Sequence, residues 1–201
     1  MSYFTESRQA RAEQLIAVYP EARSALIPLC HLVQEQDGYL SEDGMVEVAK
    51  LCGITPAEVR GTASFYDMLH TEPVGKYLVG VCTNIACLLA GGLELLEHAE
   101  GSLGIRAGAT TQDGLFTLEE TECLADCDIA PCVQVNHRYV RTTTPEAFDG
   151  LVAELREGGR ASEIPSHGTL VRTRRDLALA VNPDDIAKER AEHRAATENA
   201  S

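Results

Sequence analysis

Two cysteine-bearing segments carry the main signal for the fold of this chain: VCTNIAC, which begins at Val81, and CLADCDIAPC, which begins at Cys123. Four residues separate Cys82 from Cys87, three separate Cys123 from Cys127, and 35 lie between the two pairs. Each pair follows an apolar stretch that is predicted to form a β-strand. Two closely spaced cysteine pairs at the ends of apolar strands predict a metal site with four thiolate ligands.

The gaps within the pairs bear on which metal the site holds. Structural zinc sites usually have gaps of two residues, which form tight knuckles around one ion. Gaps of four and three residues are typical of loops that wrap a larger group, so we expect an iron–sulfur cluster. Plant-type ferredoxins also have a four-residue gap, but their third cysteine follows two residues later, whereas here the second pair lies 35 residues on. Backbone N–H groups of residues 83–86 are expected to offset the negative charge of such a cluster.

Thiol–disulfide exchange and histidine ligation are both disfavoured. A thioredoxin-type redox site needs Cys-x-x-Cys at a helix start, and that motif does not occur in the chain. None of the six histidines has ligand spacing with another histidine or a cysteine, as a Rieske-type site would require. Cys30 and Cys52 lie in predicted helices and are interpreted as buried core residues. Cys132 is also assigned to the core, with lining of the cluster pocket as the alternative.

The chain is acidic, with a formal net charge of −14 at pH 7, which argues against a nucleic-acid partner. Residues 156–201 carry eight Lys or Arg and eight Asp or Glu, so the first 155 residues carry the whole net charge. This acidic part is interpreted either as a solubility feature or as a surface that faces a basic partner. No apolar run has membrane-spanning length and no signal peptide is recognisable, so we expect a cytoplasmic chain without direct membrane insertion.

Nucleotide-binding motifs are missing from the sequence. Neither G-x-G-x-x-G nor G-x-x-x-x-G-K-[ST] occurs, and no Ser/His/Asp or Cys/His arrangement stands out. The chain is therefore expected to lack a complete active site of its own. A lone cluster must then exchange electrons with cofactors on another chain.

Residues 1–74 are predicted to form an N-terminal helical bundle. The expected helices run from a Thr5 cap to about Val18, from about Glu21 to Gln36, from a Ser41 cap to Gly53, and from Thr55 to about Leu69. Pro28 either kinks the second helix or moves its start. Thr55, Pro56 and Glu58 form the clearest signal, a capping box with proline at the first helical position.

Residues 75–157 predict a second domain in the order strand, helix, strand, strand, strand, helix. The first of these helices is expected over residues 88–98, a loop over 101–113, and a hairpin over 133–141. This order predicts an α/β fold of the thioredoxin-like kind, with helices packed on a mixed sheet. Residues 158–201 are predicted to be a C-terminal tail, partly disordered or docked on a partner, with a basic cluster at 172–175 and a last helix from about Asn182.

Several of these residues together resemble a known family. The run DGLFT, which begins at Asp113, and CLADCDIAP, which begins at Cys123, are similar to the signature of one family of respiratory complex I proteins. These proteins are the small [2Fe-2S] flavoprotein subunits of NADH:quinone oxidoreductase. The FY pair at Phe65, the run EPVGKY from Glu72, and the pair Cys82-Thr83 also resemble this family, so that the likeness covers about residues 10–155.

The resemblance implies a helical bundle followed by a thioredoxin-like [2Fe-2S] ferredoxin domain. It implies four cluster ligands, Cys82, Cys87, Cys123 and Cys127. It also implies a partner subunit that carries FMN, the NADH site and a [4Fe-4S] cluster, next to a neighbouring multi-cluster subunit. The cluster is expected to take an electron from the flavin, off the main electron route. The chain is then expected to lie peripherally at the inner face of the membrane, through the complex.

One position departs from the family pattern, and two alternatives stay open. The family usually has glycine where Ala125 stands, and alanine there costs about 1 kcal/mol if the position requires a positive φ. The diaphorase subunits of NAD-linked hydrogenases and formate dehydrogenases share all four cysteines and give an alternative function. A zinc-stabilised interaction module is the other alternative. The pattern does not assign which two cysteines share an iron.

Overall fold

The computed structural model describes residues 3–168 of the chain. The predicted basic cluster at residues 172–175 and the predicted last helix from Asn182 lie outside this range. Within residues 3–168, no helix is both long and apolar enough to cross a membrane.

Four helices form the N-terminal part: Glu6–Ala17 (α1), Leu26–Asp37 (α2), Glu42–Cys52 (α3) and Pro56–Ala63 (α4). The hydroxyl groups of Thr5, Ser41 and Thr55 each accept a backbone hydrogen bond at the start of α1, α3 and α4, as predicted. The amide of Thr55 in turn donates to the Glu58 carboxylate, which completes the predicted capping box. The four helices share one core of fully buried apolar residues, among them Leu29, Leu32, Leu40 and Val48.

The second helix begins later than predicted. A short 3-10 turn over Ala22–Ala25 precedes α2, which starts at Leu26. Pro28 therefore lies in the first turn of α2, where a backbone N–H has no helical acceptor, and proline is tolerated without a kink. Of the two alternatives for Pro28, the structure supports the displaced start.

The fourth helix ends at Ala63 rather than near Leu69, which corrects the prediction. A tertiary contact holds the residues that follow. The side chain of Gln34 donates to the carbonyl of Met68 and accepts from the amide of His70, both at 2.9 Å. These bonds satisfy two backbone groups and hold the chain after α4 against α2.

The second domain contains a four-stranded mixed sheet in the order β2-β1-β3-β4. The strands are Tyr77–Cys82 (β1), Phe116–Thr121 (β2), Val133–Val135 (β3) and Arg138–Val140 (β4). β1 pairs in parallel with β2 and antiparallel with β3, while β3 and β4 form the predicted hairpin. Two long helices of this domain pack on the sheet, which confirms the predicted α/β fold.

The helix predicted over residues 88–98 is two helices, Ile85–Leu89 (α5) and Gly92–Leu103 (α6). Gly91 separates them with φ of 93°, a left-handed conformation that a helix cannot contain. α6 then continues to Leu103, into residues that the sequence predicts to be a loop. Leu103 is only 8% exposed and belongs to the core, so the helix persists as long as it has an apolar face to bury.

The last helix of the domain is Pro145–Arg156 (α7), and the described residues beyond it also lie against this domain. Ile164 is 2% exposed and belongs to the core of the sheet. The carbonyl of Pro165 accepts a hydrogen bond from the Asn136 side chain at 2.7 Å, and the amide of His167 donates to the carbonyl of Lys76 at 2.8 Å. Residues 158–168, which the sequence assigns to the tail, thus pack on the sheet.

Candidate metal centre

The four predicted ligands lie at one edge of the sheet. Cys82 is the last residue of β1, Cys87 lies in α5, Cys123 follows β2, and Cys127 begins a 3-10 turn. β1 and β2 run in parallel, with Cys82 opposite Thr121, so both strands end at the same edge. The parallel pairing therefore brings together two cysteine pairs that lie far apart in sequence.

The two cysteine-bearing loops are tied to each other by polar contacts. The amide of Thr83 donates to the carbonyl of Thr121 at 3.1 Å, and its hydroxyl donates to Glu120 Oε1 at 2.7 Å. Asn84 Nδ2 donates to Glu122 Oε2 at 3.0 Å. These contacts fix the loop after β1 against the loop after β2 at the positions where the thiols project.

The thiols are close within each pair. The Cys82 thiol is one of the neighbouring groups that act on the pKa of Cys87, and the Cys123 thiol acts in the same way on the pKa of Cys127. Burial raises the pKa of Cys87, the hydrogen bond from the Cys132 amide partly opposes that rise, and the Cys82 thiol adds to it. Burial, followed by the Cys123 thiol, raises the pKa of Cys127. A metal at these sulfurs would replace their protons, since only thiolate binds it.

The centre is buried on one side and open on the other. Cys82 and Cys87 are 2% and 1% exposed, whereas the Cys123 and Cys127 residues are exposed. The α5 helix that carries Cys87 presents apolar side chains to solvent beside this opening. Ile85 of this helix is 71% exposed.

The loop after β2 is acidic. It contains Glu122, Asp126 and Asp128, which follow two further glutamates at the end of the strand. The neighbouring Asp128 carboxyl raises the pKa of Asp126. The open side of the centre is therefore both negatively charged and, at α5, apolar.

Cys132 joins this centre, which corresponds to the alternative given for it from the sequence. It is 4% exposed and forms one buried cluster with Cys82 and Cys87, against which Leu124 and Ala130 pack. Its amide donates to the Cys87 sulfur at 3.4 Å. Burial raises the pKa of the Cys132 thiol to about 12. The sequence predicts backbone donors from residues 83–86 and gives no sign of the Cys132 amide, because that contact spans 45 residues.

Cys30 and Cys52 lie elsewhere, in the core of the helical part, where they are 0% and 6% exposed. This placement agrees with their interpretation as core residues. Burial raises the pKa of the Cys30 thiol to about 12. Neither cysteine belongs to the thiol cluster at the sheet edge.

Ala125 occupies the left-handed region, with φ of 61°, in the loop between Cys123 and Cys127. This is the condition under which alanine is expected to be strained relative to glycine. The Tyr139 hydroxyl donates to the carbonyl of Leu124 at 2.5 Å and so holds the loop from the sheet side. The loop therefore keeps the conformation that glycine would favour.

The donor set fits an iron–sulfur cluster by its chemistry. The two cysteine pairs lie on two loops that polar contacts tie together at one edge of the sheet, and burial of Cys82 and Cys87 shields one side of this site. An amide N–H directed at a ligand sulfur is the kind of contact that stabilises a negatively charged cluster. Across residues 3–168, no three His, Cys, Asp or Glu side chains are arranged to hold a single metal ion.

Comparison with known proteins gives consistent matches. The family model of the thioredoxin-like [2Fe-2S] ferredoxins matches residues 12–156. A NADH-quinone oxidoreductase subunit of Mycobacterium tuberculosis is 46% identical over 145 residues, which are 72% of this chain and 58% of that protein. A NADH-quinone oxidoreductase subunit of Thermus thermophilus is 40% identical over 168 residues, which are 82% of this chain and 93% of that protein. The chain thus spans little more than half of the mycobacterial relative.

A solved structure shares the fold. The crystal structure of a NAD+-reducing [NiFe]-hydrogenase in the H2-reduced state superposes with a TM-score of 0.62 at 22% sequence identity. The match covers 73% of this chain and 25% of that chain. At this level of identity the match supports the architecture and nothing beyond it.

Proposed function

Because the chain belongs to the thioredoxin-like [2Fe-2S] ferredoxin family, whose cofactor is a [2Fe-2S] cluster, we propose that it is an electron-transfer subunit of NADH:quinone oxidoreductase. The observation that carries this proposal is the convergence of two cysteine pairs at the edge where β1 and β2 end. The names of relatives with 40% and 46% identity point to the same complex.

We assign the cluster ligands as Cys82, Cys87, Cys123 and Cys127. When bound, the cluster accepts and donates one electron at a time. The chain's own residues do the rest. The β1 and β2 ends position the thiolates, polar contacts of residues 83 and 84 tie the two loops together, and the Cys132 amide donates to the Cys87 sulfur.

The electron donor is proposed to be FMN on a partner subunit that also binds NADH, with a multi-cluster subunit as neighbour. The exposed side of the centre, flanked by Ile85 and Leu89 of α5, is the surface through which a second chain could bring a flavin close. The net charge of −14 suits a partner with a basic face. Such a complex would hold the chain peripherally at the cytoplasmic face of the membrane, without inserting it.

Metal analysis of the anaerobically purified chain tests the cluster. The expected result is about two irons and two acid-labile sulfides per chain. Cys123→Ala should remove most of both, because it deletes a ligand, whereas Cys30→Ser, in the bundle core, should retain them. One zinc without iron would instead establish the zinc-stabilised interaction module and refute the electron-transfer proposal.

Copurification tests the partner. We expect a flavin-carrying, NADH-oxidising chain to copurify with the protein, and Leu89→Glu on α5, at a position 84% exposed, to reduce its recovery. Val18→Glu is the matched control, since Val18 is 64% exposed but lies at the end of α1 in the bundle. Equal losses in both variants would argue against α5 as the docking surface. Recovery of hydrogenase or formate dehydrogenase chains would establish the diaphorase alternative.

A further inference from the structure

The structure places a fifth thiol at the centre, and strand register explains why. β1 and β3 are antiparallel with Val81 opposite Val133, which sets Cys82 opposite Cys132. The amide of Cys82 donates to the carbonyl of Cys132 at 3.0 Å, as that register requires. Residues directly opposite each other in an antiparallel pair project to the same face, with Cβ atoms about 4.5–5.5 Å apart. Cys132 therefore points to the same side of the sheet as a proposed ligand.

Cys132 is also next to a second proposed ligand. The amide nitrogen of Cys132 lies 3.4 Å from the sulfur of Cys87. The Cys132 side chain is therefore attached to the backbone close to that sulfur. Cys82, Cys87 and Cys132 form one buried cluster, covered by Leu124 and Ala130. A rotation about χ1 moves the Cys132 sulfur without moving the strand, because the thiol is attached through a single methylene.

We propose that Cys132 is a reserve ligand whose thiolate takes the place of Cys87 when Cys87 cannot bind iron. This inference rests on the cluster assignment made above and adds a fifth residue to it. The Cys132 thiol loses its proton to solvent and forms one Fe–S bond. This bond replaces the Fe–S bond that Cys87 does not make. Four thiolates remain, so the charge of the cluster and its oxidation state are unchanged.

The proposal distinguishes Cys87 from Cys123. Cys123 is exposed and lies outside the buried cluster that contains Cys132. Replacement of Cys123 therefore has no reserve thiol beside it. The chain should tolerate loss of Cys87 and fail on loss of Cys123, although both are ligands of the same cluster.

The test uses the full chain, reconstituted anaerobically with Fe²⁺ and sulfide, and measures iron, sulfide and visible absorbance. Four variants are compared with the wild type: Cys87→Ala, Cys132→Ser, Cys87→Ala/Cys132→Ser and Cys123→Ala. We expect Cys132→Ser to match the wild type. Cys87→Ala should retain about fivefold more iron than either the double variant or Cys123→Ala, because only Cys87→Ala keeps four thiolates in reach.

Equal iron in Cys87→Ala and the double variant would overturn the proposal while leaving the cluster assignment intact. A wild-type chain that binds neither iron nor sulfide would refute both the reserve-ligand proposal and the cluster assignment. If Cys87→Ala does not fold, as judged by circular dichroism, the near-isosteric Cys87→Ser takes its place. The same comparison with Cys87→Ser/Cys132→Ser then decides, because serine at position 87 is common to both proteins and only the fifth thiol differs.

Discussion

Ala125 shows how one side chain strains the loop between Cys123 and Cys127. Its φ of 61° lies in the region where an L-residue with a Cβ has a steric penalty that glycine does not. The loop is held in this conformation from outside, by Tyr139 on the carbonyl of Leu124 and by the turn that begins at Cys127. The strain is therefore offset by contacts of the surrounding structure rather than relieved within the loop.

We predict that Ala125→Gly stabilises the chain by up to about 1 kcal/mol, since removal of the Cβ outweighs the added freedom of the unfolded chain. Chemical denaturation of the full chain measures the change. The matched control is Ala109→Gly, at a loop position without positive φ, which should destabilise the chain. A loss of stability in both variants would show that Ala125 is not strained.

Cys132 shows a different effect at the residue scale. From the sequence it begins a strand and is interpreted as core, and the structure confirms that it is buried. Only the pairing of β1 with β3 reveals that the same buried position lies opposite Cys82. The role proposed for its thiol follows from that pairing and not from any cysteine spacing.

At the scale of elements, α6 is fitted tightly beneath the first cysteine loop. A Cβ added at Gly92 would lie 2.7 Å from the carbonyl oxygen of Cys82 and 2.8 Å from that of Cys87. Both atoms belong to the backbone, so neither can move without displacing a proposed ligand. The break between α5 and α6 thus allows the start of α6 to approach the loop that carries Cys82 and Cys87.

We predict that Gly92→Ala displaces the first cysteine loop, lowers cluster content and destabilises the chain by about 1–3 kcal/mol, as overpacking does. Iron content and denaturation of the full chain measure these effects. Gly101→Ala in the same helix is the control, because a Cβ there meets nothing within 4 Å. It should stabilise α6 by up to about 1 kcal/mol and leave the iron content unchanged. Unaltered iron in Gly92→Ala would contradict the tight fit.

At the largest scale, the two parts of the molecule meet around buried histidines. His167, which follows the second domain, is 7% exposed and packs edge-on against His70, with ring centroids 5.0 Å apart. Within residues 3–168, neither ring nitrogen of His167 has a hydrogen-bond partner. Burial, and then the nearby His70 and His137, lower the pKa of His167 to about 4. The Nδ1 atom of His70 lies 3.8 Å from Oε1 of Glu119. The pKa of His70 is also lowered, chiefly by burial.

This junction should make stability depend on pH. In the unfolded chain a histidine titrates near a pKa of 6.5, whereas His167 in the folded chain has a pKa of about 4. Between these values the unfolded state binds more protons at this histidine, so the contribution of His167 to the free energy of unfolding is highest above pH 6.5 and decreases as the pH falls towards 4. The decrease is at most about 1.4 kcal/mol per pH unit for each such histidine.

The measurement is the difference in unfolding free energy between the full wild-type chain and His167→Gln from about pH 8 to about pH 5.5. Taking the difference at each pH cancels contributions that both proteins share, including the cluster. We expect the difference to be constant above about pH 7 and to shift in favour of the variant below it. An identical pH dependence of both proteins would show that His167 is not held neutral by the fold.

Local signals were sufficient for a large part of this structure. The cap residues Thr5, Ser41 and Thr55 act as predicted, because a hydroxyl side chain and its nearby backbone amides need no distant partner. The order of strands and helices along the chain likewise predicted the α/β fold of the second domain, and the cysteine spacing together with the family resemblance predicted its [2Fe-2S] cluster. These features could be read from the sequence because neighbouring residues specify them.

Other features depend on contacts between distant residues and became visible only in the folded chain. Gln34 holds the chain after α4 by hydrogen bonds to the backbone of Met68 and His70. Helix α6 continues to Leu103 because that side chain is buried in the core. Cys132 comes to lie beside Cys87 through the β1–β3 pairing. Each of these outcomes depends on a partner more than 30 residues away or on a core formed by several elements, and no local pattern specifies that partner.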